Sequence, residues 1–136
     1  MIDERLSLKK RYQKEILVVD DNALLLRNIH VLLKDSYNVS LAKNGHQALN
    51  MVENSKPDLI LLDYEMPDMS GTDVYRKLRL GEKTKDIPII FLTSIADREV
   101  VSEVLQLKPE GYLLKPTEKE KLLNAIENVL AGKKLY

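Results

Sequence analysis

The sequence predicts an α/β fold, a doubly wound (βα)5 sandwich, and three observations carry that prediction. Five short apolar runs alternate with stretches whose apolar residues recur at helical spacing. The run Ile16–Val19 (ILVV) is unbroken and rich in β-branched residues, which marks a strand buried on both faces. Five such units are too few for a (βα)8 barrel, so the parallel sheet should lie open between two layers of helices.

Each element can be justified in order. Ile16–Val19 is a β-branched-rich strand, followed by a helix whose Leu25, Ile29, Leu32 and Leu33 fall at i, i+4, i+7 and i+8. Asn38–Ala42 reads as the second strand and Gly45–Glu53 as a short helix carrying Ala48, Leu49 and Val52. Leu59–Leu62 is the third strand, bounded by Pro57 and by a polar loop containing Pro67 and Gly71. Thr72–Leu80 is a helix capped by Thr72 or Ser70 and closed near Gly81. Ile87–Leu92 is the fourth strand, and Asp97–Leu107 a helix with Val100, Val101, Val104 and Leu105 inward, ended sharply by Pro109. Gly111–Leu114 is the last strand, and Glu118–Leu130 the last helix, with Leu122, Ile126, Val129 and Leu130 on one face.

The 136 residues suit one domain, expected over 16–132, with residues 1–15 as an extension that is mobile or forms a helical turn, and 133–136 as a tail. Lys plus Arg and Asp plus Glu balance at 21 each, so no global field selects nucleic acid or an anionic membrane. The absence of cysteine excludes a disulfide framework and thiolate chemistry. Apolar runs of four or five residues fall far short of the ~20 needed to cross a bilayer. The N-terminus lacks the apolar core of a signal peptide, so a cytoplasmic location is expected. No GxG occurs, which disfavours a nucleotide loop, and His30 and His46 have no companions at metal-ligand spacing.

Ligands of such sheets bind beyond the carboxyl ends of the strands. The first strand ends in Asp20-Asp21, the third in Asp63, the fourth in Thr93-Ser94 and the fifth in Lys115-Pro116. Taken singly each has an ordinary explanation: Asp21 or Thr93 as a helix cap, Asp63 as a turn former, Lys115 as a solvated loop residue. Their coincidence at all four strand ends points instead to one site. Clustered carboxylates are costly without a hard cation, and Mg²⁺ accepts oxygen ligands of this kind. Asp63 could then attack phosphorus as a carboxylate nucleophile, with Lys115 and Thr93 receiving phosphoryl oxygens.

The segments ILVVDDN, LLDYEMPDMSG, IIFLTS and GYLLKP, in this order and spacing, resemble the receiver domains of two-component response regulators, the CheY-like family. The resemblance covers Ile16 to about Leu130 and implies a flavodoxin/CheY-like sheet of strand order 2-1-3-4-5 between five helices. It implies Asp63 as phosphoacceptor, and Asp20, Asp21, Asp63 and the backbone carbonyl of Glu65 as ligands of Mg²⁺, for which Mn²⁺ could substitute. Thr93 matches the switch hydroxyl, Lys115 the family's lysine and Tyr112 the aromatic switch position, while Lys115–Pro116 would be cis. Ser94 and Pro116 would have secondary roles.

The implied function is phosphoacceptor signalling rather than enzymatic turnover, although such a domain promotes its own phosphorylation and dephosphorylation. The donor would be a histidine kinase or a His-containing phosphotransfer protein. The surface around the fourth helix, fifth strand and fifth helix would signal to a downstream protein or an output domain, with a phosphorylation-dependent dimer as a further expectation. Direct contact with nucleic acid or membrane is not expected. The chain would be a stand-alone receiver or a piece of a longer regulator. Glu65 places a carboxylate beside the pocket, where it could position water or repel it; Ser94 is small enough to preserve access, and Ile95 would shield the attacking water. Thr117 stands where many relatives carry Phe. Two rival readings are a pseudo-receiver that acts only by binding and a phosphatase of the haloacid-dehalogenase pattern. The latter would want an Asp where Glu65 stands.

Overall fold

Each apolar run becomes a strand and each helical-period stretch a helix in the computed structural model, which describes residues 12–94 and 98–133. In chain order the elements are β1 (Glu15–Val19), α1 (Ala23–Leu33), β2 (Asn38–Ala42), α2 (Gly45–Asn54), β3 (Leu59–Leu62), α3 (Gly71–Leu80), β4 (Ile89–Thr93), α4 (Arg98–Gln106), β5 (Gly111–Leu114) and α5 (Lys119–Leu130). All strand pairings are parallel and the order is β2-β1-β3-β4-β5, as the resemblance implies. Most of the expected N-terminal extension, Ile95, Asp97 and residues 134–136 lie outside the described residues.

The period of two along a strand divides the core between the sheet's two faces. Leu17, Val19, Ile60, Leu62, Ile89 and Phe91 point toward α2, α3 and α4, meeting Ala48, Val52, Val74, Leu78 and Val104. Ile16, Val18, Leu59, Leu61, Ile90 and Leu92 point the other way, toward Leu26, Ile29 and Leu33 of α1 and Leu122, Ile126 and Val129 of α5. Covering both faces is what lets the inner strands β3 and β4 be buried along their whole length, and it leaves the strand ends as the places where polar groups gather.

Several expected boundaries move by one or two residues. β4 begins at Ile89 rather than Ile87 because Pro88 has no N–H to give a ladder, and the Ile87 N–H donates instead to the Thr84 carbonyl (3.1 Å). β1 starts one residue early, at Glu15, which pairs in register with Asn38. Ser70, not Thr72, caps α3, in a reciprocal capping box with Asp73. α4 closes at Gln106, and Lys108 adopts a positive φ of 56° before Pro109.

The apolar face of α4 also differs from its expectation. Val104 is fully buried and Val100 packs on the core, but Val101 and Leu105 line a shallow surface groove with Arg98 and Gln106. Four apolar residues at i, i+1, i+4 and i+5 span too wide an arc for one helix on one flat sheet. The sheet takes the 100/104 side and leaves the 101/105 side at the surface.

Candidate functional site

The carboxyl edge of the sheet places the chemistry-bearing residues, and their backbones are continuations of the ladder. The Asp20 N–H donates to the Ala42 carbonyl (3.1 Å), the Asp63 N–H to Val19 (3.0 Å) and the Lys115 N–H to Thr93 (2.8 Å). Each of these residues is therefore fixed by the strand that precedes it. The order β2-β1-β3-β4-β5 brings the ends of β1 and β3 side by side, with β4 and β5 following.

The carboxylates of Asp20, Asp21 and Asp63 offer oxygens that all lie within 4.8 Å of one another. Lys115 Nζ reaches into the cluster, 2.5 Å from Asp20 Oδ2 and 3.2 Å from Asp63 Oδ1. Asp20 is almost fully engaged, since its Oδ1 accepts the Asn22 N–H at 2.9 Å. Asp21 is exposed and makes no side-chain hydrogen bond among the described residues, which leaves its oxygens available to an incoming ligand. Thr93 is buried at the end of β4, Ser94 is exposed beside it, and both border the opening together with Glu65. Tyr112 lies opposite Phe91 in the β4–β5 ladder, half-buried against the α4-side core, and burial raises its hydroxyl pKa. The Lys115–Pro116 peptide is cis.

The electrostatics are unbalanced. Burial pushes the Asp63 carboxyl up from 3.8 to about 6; the Asp20 charge adds to the rise, and Lys115 opposes it. Three ionised carboxylates against one ammonium leave a formal charge of −2 at this edge. The donor set is all oxygen and partly open to solvent, so it fits a hard divalent cation such as Mg²⁺ and offers nothing that a thiophilic metal would prefer.

Residues that carry no charge hold this arrangement in place. Asn22, not Asp21, is the N-cap of α1: its side chain accepts from the Leu24 and Leu25 N–H groups (3.0 and 3.1 Å), which frees Asp21 from capping. Replacing Asn22 by Ala should cost about 1 kcal/mol in urea unfolding. An unchanged midpoint would mean that the cap contributes nothing here. Gly71 sits so close behind the site that a Cβ built on it would lie 2.0 Å from the Asp63 carbonyl oxygen. Its own N–H donates to the Tyr64 carbonyl (2.8 Å), closing the β3–α3 loop. Sequence reasoning did not single out either residue for the site. Asn immediately before a helical stretch and Gly at the end of a Pro-containing loop were the available signals.

With this geometry in view, the chain belongs to the response regulator receiver domain family, which it matches over residues 16–127. It is 34% identical over 117 residues to chemotaxis protein CheY of Pseudomonas aeruginosa, an alignment covering 85% of this chain and 94% of that one. It is 32% identical over 121 residues to transcriptional regulatory protein YdfI of Bacillus subtilis, covering 87% of this chain and 55% of YdfI. The chain thus spans about half the length of that regulator. Among solved structures, the receiver domain of sensor histidine kinase PA1611 from P. aeruginosa superposes with a TM-score of 0.81 at 31% identity, covering 88% of this chain and 98% of that domain. That structure has a magnesium ion coordinated in its active site cleft.

Proposed function

We propose that this receiver domain is a phosphorylatable switch in which Asp63 takes a phosphoryl group from a histidine kinase or a His-containing phosphotransfer protein. Mg²⁺, replaceable by Mn²⁺, would be held by the carboxylates of Asp20, Asp21 and Asp63 and by the Glu65 backbone carbonyl. The observation that carries this reading is the convergence of three carboxylates, Lys115 and Thr93 on one edge of the sheet. Membership in the receiver family leaves the phosphatase reading without support, and the complete acidic cluster with its lysine argues against a pseudo-receiver.

When bound, Mg²⁺ supplies charge compensation for a phosphoryl oxygen. Asp63 is the nucleophile: its carboxylate oxygen bonds to phosphorus as the phosphorus–nitrogen bond of the donor histidine breaks, and the imidazole nitrogen keeps the electron pair. A carboxyl whose pKa lies at about 6 is still mostly ionised at neutral pH, yet more basic than an ordinary aspartate. Lys115, already 3.2 Å from Asp63 Oδ1, pairs with a second phosphoryl oxygen while Asp20 anchors its ammonium. The Thr93 hydroxyl donates to the third. Glu65 stands exposed at the rim, where its charge adjusts how readily water reaches the acyl phosphate.

An inward turn of Thr93 makes room for Tyr112, and the surface of α4, β5 and α5 changes with it. That surface already carries half-buried Val101 and Leu105 along a groove, and Leu114 at the end of β5 is exposed. A downstream protein, an output domain or a second copy of this chain would read the change. Among the described residues no helix is long and apolar enough to cross a membrane.

A Mg²⁺ titration in the presence of beryllofluoride, followed by NMR, tests the site. The parent protein should saturate, and Asp21→Asn should bind Mg²⁺ at least about tenfold more weakly, because even outer partners of a metal site cost that much. Equal Mg²⁺ affinity in the parent and the variant would overturn the assignment.

A further inference from the structure

α4 is lightly held. Among the described residues of this helix, Val104 alone is fully buried, so its attachment leans on polar contacts at its edges. Two tyrosine hydroxyls supply them. Tyr75 of α3 donates to the Leu107 carbonyl at 2.6 Å, just beyond the end of α4, with the Arg79 guanidinium stacked 4.6 Å from the Tyr75 ring centroid and paired with Glu110 at 2.9 Å. Tyr64 donates to Glu103 Oε2 at 2.9 Å, on the outer surface of α4. The two contacts differ in what lies behind them. Tyr75 belongs to a helix packed on the core, whereas Tyr64 is the residue next to Asp63 in the chain and its carbonyl receives the Gly71 N–H (2.8 Å).

From this we propose that the Tyr64–Glu103 hydrogen bond is a latch that holds α4 in its unphosphorylated position, so that phosphorylation of Asp63 must break it to shift the helix. The proposal rests on the reading of Asp63 as phosphoacceptor. Charge and ligands added at residue 63 act on the backbone that carries Tyr64, while Tyr75 keeps the Leu107 carbonyl pinned one turn past Glu103, so the helix pivots about its C-terminal end. A bond made in one of two arrangements biases the equilibrium toward that arrangement by its own strength. One net hydrogen bond corresponds to about two- to tenfold.

The test uses Tyr64→Phe, which keeps the ring and removes the hydroxyl, together with Glu103→Ala, the double variant, and Glu103→Gln, which retains an acceptor oxygen. The first readout, amide exchange in unphosphorylated protein, does not depend on phosphorylation. Exchange across α4 should rise about two- to tenfold in Tyr64→Phe, no further in the double variant, and little in Glu103→Gln. Unchanged or additive exchange would overturn the latch. The second readout is beryllofluoride affinity with Mg²⁺, which should tighten by the same factor in Tyr64→Phe; an unchanged or weakened affinity would overturn the coupling. If the parent protein binds no beryllofluoride, the phosphoacceptor reading fails and the coupling with it, while the exchange comparison still decides whether the latch exists.

Discussion

Asp63→Asn is expected to abolish acyl-phosphate formation and, at the same time, to make the unphosphorylated protein more stable at neutral pH. The loss follows from removing the proposed nucleophile, since neither Asp20, tied to Lys115 and the Asn22 N–H, nor exposed Asp21 replaces it in that position. The gain follows from electrostatics. Asp63 is raised from 3.8 to about 6 in the folded protein, so the folded state holds its proton more tightly than the unfolded chain does. The stabilising contribution of the neutral carboxyl is fully present below about pH 3.8 and is lost as pH rises through about 6. Above that pH the ionised group is a burden on the fold, and neutralising it should recover on the order of 1–3 kcal/mol. Urea unfolding of the parent and Asp63→Asn at pH 4 and at pH 7.5 measures this. The curves should nearly coincide at the lower pH and separate at the higher. An Asn variant less stable than the parent at pH 7.5 would show that the carboxylate is held by favourable contacts rather than by a site awaiting a cation.

Gly71→Ala is expected to disturb the same site through the backbone. The added methyl would need to occupy space 2.0 Å from the Asp63 carbonyl oxygen, 2.9 Å from its carbon and 3.0 Å from the Tyr64 Cα. These are all backbone atoms of one short loop, so no side-chain rotation relieves the overlap, and either the Asp63 carbonyl or the first turn of α3 must move. Overpacking of this kind costs about 1–3 kcal/mol and occasionally more, and here it should also slow phosphorylation by displacing residue 63. Gly45→Ala is the informative control. Its methyl would crowd Val74 Cγ2 at 2.7 Å, Met69 Sδ at 2.8 Å and Met69 Cβ at 3.1 Å, side-chain atoms rather than the backbone of residue 63. Equal destabilisation by the two substitutions, with unchanged phosphorylation in Gly71→Ala, would contradict a positioning role for Gly71.

The sequence was most readable where a local pattern met a global rule. Continuous apolar runs told where β1, β3 and β4 lie because the inner strands of a parallel sheet are covered on both faces, and the strand ends then pointed to Asp20, Asp21, Asp63, Thr93 and Lys115. The convergence of these residues is visible in the structure, whereas the roles assigned to them are proposals. Less was readable where the deciding contact is distant in sequence. Nothing local shows that Lys115 bridges Asp20 and Asp63, or that Tyr64 meets Glu103, 39 residues away. The burial of Val104 but not of Val101 and Leu105 depends on how α4 lies on the sheet, which a wide apolar pattern cannot specify. The later start of β4 was legible in principle, because Pro88 cannot donate to a ladder.

The central claim is that the carboxyl edge of this sheet builds an aspartyl phosphate on Asp63 with the help of a divalent cation. Its most direct test is incubation with acetyl phosphate and Mg²⁺, reductive trapping of the acyl phosphate with borohydride, and peptide mass mapping. The account predicts a single trapped position, Asp63, that disappears when Mg²⁺ is chelated. Trapping at another carboxylate, or labelling of Asp63 to the same extent without a divalent cation, would contradict it.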